Sequence, residues 1–485
     1  MSYKHGVYNS EIDTSLIAPI EGTAGLQVIF GTAPIHLAAD PFQAANTPKL
    51  CYSFQEAQQA VGYSDDFQKF TVCQSISACF QVFNVAPIIL VNVLDPTNPA
   101  HITKHEAATY PVSDATVTYD KPMVLLPSLV VKAGEDTLEA GVDFEAEHEG
   151  DAVVISMLSE RAMAAAEVSV AATSLKPEGV TRDDIVGSVD AKTGRETGME
   201  LVRHIYPKLG MVPGILLAPG WSQDAVVAAA LQAKTEGING CFECVNYVDI
   251  AADETGAAVY TDVPEAKAKL GASGSHTAVF WPMCAVGDKV YHMSAMAAAL
   301  TAYNDASNGD VPYDSPSNHS LRITATVLAD GTEVVLDRQQ ANDMLNANGV
   351  ITAINEGGFN LWGNNTAAYP STTDPKDRWL ATRRFFNWDG NNFILTYRQK
   401  VDRPGNKRLI QSIVDSQNIK GNGYVARDYC AGYRTEFLES ENPATNLLAG
   451  HLTVHTYLAP YIPAEFIENI REYDVDALTA ALGGE

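Results

Sequence analysis

Few residues of this chain have the type and spacing to do chemistry. Cys241 and Cys244 form a Cys-x-x-Cys beside Phe242 and Val245. Thiols so placed can cycle between dithiol and disulfide or hold a soft metal ion. No second Cys-x-x-Cys completes a zinc site, and the apolar flanks favour two core thiols, with a redox pair left as the alternative. His451 and His455 stand four apart and would share a face in a helix or a strand, but the Glu of an HExxH motif is missing. Gly271-Ala-Ser-Gly-Ser275 misses the GxSxG elbow because Ser275 replaces the last glycine. No GxxxxGK[ST] phosphate cradle occurs, and Trp281-Pro-Met-Cys284 reads as core. Asn318-His-Ser320 and Asn364-Asn-Thr366 match a glycosylation sequon, which matters only in a secreted chain. No carboxylate pair stands out among the 59 acids. The sequence therefore calls for no catalytic residue, no cofactor and no metal.

The elements that would position any site alternate between strand and helix. Leu26–Phe30, Pro87–Val93, Met211–Gly220, Val245–Ile250 and Thr277–Met283 are apolar runs of the kind that fill a sheet buried on both faces. Between them, Gln55–Val61 (stopped by Gly62), Phe67–Phe83, Glu196–Leu209, Gln223–Glu236 (with Ser222 as N-cap) and Val290–Asn304 read as helices. Residues 101–184 differ in texture: Val124–Val131, Thr137–Phe144 and Val153–Leu158 are short β-type runs punctuated by Gly134, Gly141 and Gly150. From about residue 346 the chain becomes aromatic-rich. Phe385–Tyr397 reads as a hairpin across Asp389-Gly390-Asn391-Asn392, and Gly450–Leu458 as a strand with Leu452, Val454, Thr456 and Leu458 on one side.

The fold class expected is α/β (α+β) and multi-domain. It has an extended N-terminal arm at 1–25, a discontinuous layered α/β domain at 26–100 and 185–345, an inserted small β domain at 101–184, a C-terminal α+β domain at 346–463 and a C-terminal arm at 464–485.

Composition narrows the function. The 485 residues carry 32 Lys+Arg against 59 Asp+Glu, a formal net charge of −27 that repels polyphosphate and argues against nucleic-acid partners. No apolar run approaches the roughly 18 residues of a membrane span. MSYKHGVYNSEID lacks the apolar core of a signal peptide, and seven scattered cysteines fit reduced thiols made in a cytoplasm. Charge is also uneven. Residues 133–167 hold ten acids and one base, Arg161, whereas 376–408 hold nine bases and three acids. This local reversal makes Arg378, Arg383, Arg384, Arg398, Lys400, Arg403, Lys407 and Arg408 candidates for an acid-facing contact, with an ordinary solvated face as the alternative.

Several phrases, in order along the chain, resemble the contractile tail sheath family of bacteriophages, R-type bacteriocins and related injection systems. They begin with Tyr3-Lys-His-Gly-Val-Tyr8 and Glu11-Ile12, then Gly31-Thr-Ala-Pro34, Asn46-Thr-Pro48 and Pro213-Gly-Ile-Leu-Leu-Ala-Pro-Gly220. The most specific runs from Asn348-Gly-Val-Ile-Thr-Ala-Ile-Asn-Glu-Gly-Gly-Phe to Asn364-Asn-Thr366, followed by Arg378-Trp379 and Arg383-Arg384-Phe385. The ending Gly450-His-Leu-Thr-Val-His-Thr-Tyr-Leu-Ala-Pro460 and Pro463-Ala-Glu-Phe-Ile467 is similar too. One departure is Ile394–Lys400, which lacks the acidic Glu-Pro-Asn phrase common in relatives.

The resemblance implies a non-enzymatic structural subunit that stacks as hexameric rings around a tail tube. Exchanged terminal strands would link the subunits, using Val7, Tyr8, Glu11 and Ile12 at one end and Phe466, Ile467 and Ile470 at the other. A metastable extended lattice would then contract to drive the tube through a cell envelope. Its partners would be itself, the tube, the baseplate and the tail terminator, with no nucleic acid and no membrane insertion. It would be assembled in a host cytoplasm and reside in a virion tail or tail-like particle. The rival readings are an α/β enzyme using Cys241 and Cys244, or another structural polymer such as a tube or shell protein.

Overall fold

The computed structural model describes residues 20–483. Its centre is a six-stranded sheet of β1 (Gln27–Gly31), β2 (Lys49–Cys51), β3 (Ile88–Asn92), β4 (Ile215–Leu217), β5 (Val245–Asp249) and β6 (Thr277–Phe280). The strand order is β6-β5-β4-β1-β3-β2. All pairings are parallel except β2 against β3. Every residue of β1, β3, β4, β5 and β6 is buried, because helices cover the sheet; that is why these strands read as unbroken apolar runs.

Helix α1 (Met293–Ser307) packs on this sheet. Its Ala-rich sequence is helix-favouring and apolar nearly all round, as a buried helix requires. Small side chains also let other backbone come close. A Cβ placed on Gly22 or Gly25 would stand 2.8 Å from Ala306 Cβ or 2.6 Å from Ala302 Cα. Two helix starts differ from expectation. The helix after β4 begins at Ala225, capped by Asp224, because Ser222 is drawn inward to Asp249. The helix read from Phe67 begins at Val72, after a turn at 67–71.

Residues 102–175 form two small sheets with a core of their own, including Val117, Tyr119, Val131, Phe144, Val153, Ile155 and Val170. Ala152–Met157 alternates between half-buried and buried, as a sheet with one solvated face does. The expected runs shift here. Pro127 breaks Val124–Val131 into a 3-10 turn at Leu126–Ser128 and a strand at Val130–Ala133. Of Thr137–Phe144 only the two ends are strand. Asp143 turns inward between them, accepting from the Glu139 amide and from Ser159 and Arg161. The longest pairing, Ile102–Pro111 with Glu167–Leu175, went unread because the first strand is mostly exposed and carries no alternation.

The tip of this unit meets the central domain through His148, whose ring stands edge-on to His36 with centroids 5.2 Å apart. Burial, reinforced by His148, pushes the His36 pKa down to about 3. The unfolded chain, with His36 near 6.5, then binds more protons than the folded one between those values. The stability that depends on a neutral His36 is present above pH 6.5 and is lost as pH falls toward 3. His36→Leu should therefore move the acid-unfolding midpoint, followed by circular dichroism, to lower pH by about half a unit or more.

The C-terminal part holds α2 (Leu380–Tyr397), α3 (Lys407–Ala426) and an antiparallel pair, β7 (Cys430–Glu436) with β8 (His455–Pro460). Phe385, Tyr424, Cys430 and Tyr433 form their core. The hairpin expected at Phe385–Tyr397 is instead continuous helix. Ala381, Arg384, Phe385, Trp388, Asn391 and Leu395 fall on one face at helical spacing. Asn391 on that face clasps both the amide and the carbonyl of Glu243, at 3.0 and 2.6 Å. Gly390 points outward with nothing near it, so the helix carries it at the usual cost of about 1 kcal/mol. β8 starts only at His455, because Asn442 holds Thr453 by its amide and its carbonyl.

Candidate functional site

Open parallel sheets hold ligands beyond the carboxyl ends of their strands. Here that edge is filled by the protein's own groups. Asp249, the last residue of β5, is buried and accepts from the Ser294 amide at 2.8 Å, the Ser294 hydroxyl at 2.5 Å and Ser222 Oγ at 3.3 Å. Burial raises its pKa. It fastens the first turn of α1, where exposed amides and the helix dipole favour a carboxylate. Neighbouring His292 is bound to Gln74 through both its amide and its ring. No serine there is paired with a histidine base.

Ser275, His276 and Glu236 also lie together. Ser275 Oγ stands 3.4 Å and Glu236 Oε1 2.9 Å from the same ring nitrogen, Nδ1. A triad needs a nucleophile and a bonded carboxylate on opposite nitrogens, but Glu243 Oε2 stands 3.6 Å from Nε2, too far for a hydrogen bond, so the ring is not held for proton relay from Ser275.

The thiols behave as structural groups. All seven are free. Cys244 is buried and its pKa is raised by burial, the reverse of what a nucleophile needs. Cys241, expected in the core with it, is exposed, because it lies in the tight turn from Ile238 to Phe242. Among the described residues no group of three His, Cys, Asp or Glu could hold a metal ion, and no helix is long and apolar enough to cross a membrane. His455 is paired with Glu441 at 2.7 Å.

The basic segment splits in two, and three of its eight cations correct the expectation. Arg384 is buried inside the subunit, paired with buried Asp305 of α1 through both guanidinium ends, one of them at 3.1 Å. Burial alone would lower its pKa, but the charge and hydrogen bonds of Asp305 raise it, so it stays charged. Arg383 is buried too, bonded to Asp377 at 2.6 Å and Asn387 at 3.4 Å. Arg378 lies between the rings of Tyr369 and Trp379, 4.5 and 4.0 Å from their centroids, and reaches Asn365 and Glu465. These three cations are spent on internal carboxylates and cannot be the acid-facing surface. Arg398, Lys400, Arg403, Lys407 and Arg408 are exposed, in the turn between α2 and α3 and the first turn of α3. Lys407 and Arg408 sit where the helix dipole disfavours cations by about 0.3–1 kcal/mol each, so folding alone does not account for them.

At the C-terminal end, Phe466, Ile467 and Ile470 are 82%, 86% and 83% exposed. They lie in residues 461–474, which form no helix or strand and follow directly on β8. β7 and β8 make a sheet of two strands; on the outer edge of β7 Asn418 clasps the amide and the carbonyl of Thr435, at 2.8 and 2.9 Å, and among the described residues no strand pairs with the outer edge of β8. Val7, Tyr8, Glu11 and Ile12 lie outside the described residues. Two contacts were invisible to sequence reasoning: Asp305 to Arg384, and Asp310 to Thr23 and Ala24. Partners 79 and 287 positions apart leave no local signal.

Among the described residues the carboxyl edge of the sheet is closed by its own side chains, and exposed apolar and basic side chains stand elsewhere on the surface. No family model matches the chain. It is 27% identical to the tail sheath protein of Burkholderia phage BcepMu over 497 aligned positions, covering 100% of this chain and 99% of that one. It is 26% identical to the tail sheath protein of Escherichia phage P2, over 74% of this chain and 85% of that one. Its fold is similar to a chain in the cryo-EM structure of the anti-feeding prophage helical sheath in the contracted state, with a TM-score of 0.57 at 14% identity, covering 98% of this chain and 100% of that one. Over its whole length the chain is thus similar to tail sheath proteins, and these findings support a structural subunit of a contractile tail sheath.

Arg384→Ala should cost about 3–5 kcal/mol by stranding Asp305, and lower the chemical-denaturation midpoint sharply. Arg403→Glu, on the surface, should stay within about 0.5 kcal/mol of the parent.

Proposed function

We propose that the subunit polymerises as stacked hexameric rings around a tail tube, with terminal segments exchanged between neighbours, and contracts from a metastable extended lattice. The observation that carries this is the C-terminal end. Three large apolar side chains stand in water just after a two-stranded sheet whose β8 edge pairs with no further strand among the described residues. A neighbour's sheet edge would satisfy the backbone of such a segment, at about 0.5–1.5 kcal/mol net per hydrogen bond. Covering each large apolar side chain adds about 1.5–3 kcal/mol, which offsets the entropy of fixing the segment.

Charge gives the orientation. The exposed cations at 398–408 fit the acidic face of a tube or of a second subunit. Glu145, Glu147 and Glu149 alternate outward along the strand Phe144–Glu149 and fit a solvent-facing position that keeps assembled rods apart. In this reading the energy is stored in the lattice and released by rigid-body movement of subunits, with no nucleotide and no catalytic step. The baseplate and the tail terminator bound the polymer, and assembly takes place in the cytoplasm of a bacterial host before the subunit resides in a virion tail or tail-like particle.

Deletion of residues 464–485, whose described residues are all exposed, should give a soluble subunit whose melting temperature stays within about 3 °C of the parent, and deletion of 1–19 should do the same. Negative-stain microscopy should then show small particles where the full chain forms hollow cylinders. Normal cylinders from either truncation would refute the exchange.

A further inference from the structure

The roots of the two terminal segments are held by side chains that meet inside the subunit. At the N-terminal root, Asp310 accepts from the Thr23 amide, the Thr23 hydroxyl and the Ala24 amide, each at 2.7 Å. The same stretch adds a two-residue parallel pairing of Ile20–Glu21 with Val85–Ala86. Asp310 follows directly on α1, and its own amide returns to the carbonyl of Asp305 at 2.8 Å. Asp305 holds Arg384, in the second turn of α2. Six residues earlier, Arg378 donates to Glu465 at 2.8 Å, at the root of the C-terminal segment. Asn365 Oδ1, 2.9 Å from Arg378 Nε, and the rings of Tyr369 and Trp379 fix the guanidinium in place.

We propose that Asp310 and Arg378 are tension-bearing clamps in series, joined through the Asp305–Arg384 ion pair, so that part of the tension on one exchanged segment crosses the subunit to the other through α1 and α2. This rests on the exchange reading given above. Three features favour it. The clamps are charge-assisted: Asp310 accepts three hydrogen bonds and Arg378 makes one, to Glu465. Each sits near the root of a terminal segment. And the connecting path runs through α1 and the first turns of α2, with the pair at its middle buried on both sides. Arg378 is thereby a positioning residue for the C-terminal segment rather than a contact to the tube.

The test uses cylinders of the full-length protein, stretched singly by atomic force microscopy at constant load. Asp310→Ala and Glu465→Ala, both outside the buried core, should assemble to the parental length. Each should rupture on the order of tenfold faster, having lost charge-assisted hydrogen bonds. Clamps in series fail independently, so in the double variant the rates should add, to about twice the faster single. If Asp310→Ala does not assemble, Asp310→Asn takes its place, keeping an acceptor for the two amides but not the charge.

Parental rupture rates in both single variants would overturn the proposal. So would a double variant near a hundredfold, which would mean that the two contacts lock one another. Deletion of residues 1–19 serves as the control. If it abolishes cylinders while the point variants rupture like the parent, exchange stands and the clamps fall. If it leaves cylinders normal, the exchange reading falls and the proposal with it.

Discussion

The buried pair of Arg384 and Asp305 joins the two halves of the subunit. Asp305 lies near the end of α1, which packs on the parallel sheet; Arg384 lies on α2, which carries the C-terminal core of Phe385, Tyr424 and Tyr433. Neither charge reaches water, so neither can relax if the other moves. The second tie between the halves is Asn391, which clasps the chain just before β5. Together they make α2 a strut with fixed orientation, and what projects from it has fixed orientation too. The exposed cations follow its C-terminal end, in the turn to α3 and the first turn of α3, and Arg378 just ahead of it holds the root of the C-terminal segment.

Under the proposed function the subunit would move as a rigid body in a lattice, which calls for such a frame more than for a cleft. The carboxyl edge of the parallel sheet, where many α/β proteins hold a ligand, is occupied by Asp249, Ser222, Ser294 and His292. Their polar groups fasten α1 to β5. Reactivity is suppressed there by the same burial that gives strength: Asp249 is shifted toward its neutral form and His292 away from its charged one. The groups free to act lie at the surface, as a run of cations and a stretch of exposed apolar side chains.

Much of this was legible in the sequence where burial is two-sided. β1, β3 and β5 lie within a residue or two of the runs that announced them, because a strand covered on both faces can hold little but apolar residues. The α/β class followed from their alternation with helices. Legibility failed where a distant partner decided the local structure. Asp389-Gly390 is a strong turn signal, yet Asn391, Trp388 and Phe385 find partners only if the chain stays helical. Ser222 is a good cap, yet Asp249 claims its hydroxyl and Asp224 caps instead. The basic segment is the clearest case. Charge counting registered a local reversal of sign but could not say that Arg383 and Arg384 have internal carboxylates while Arg403 and Lys407 have none. The resemblance of the long phrase from Asn348 to Thr366 to the sheath family carried the identity; composition alone excluded only nucleic-acid binders and membrane spans.

The claim on which the account turns is that the apolar residues after β8 are covered by another copy of the chain. A helical cryo-EM reconstruction of cylinders grown from the full-length protein tests it directly. The account predicts that residues 464–475 of one subunit lie along the open edge of a neighbour's β7–β8 sheet, with Phe466, Ile467 and Ile470 removed from solvent. Density in which that segment folds back on its own subunit, or remains in solvent within a well-formed cylinder, would contradict it.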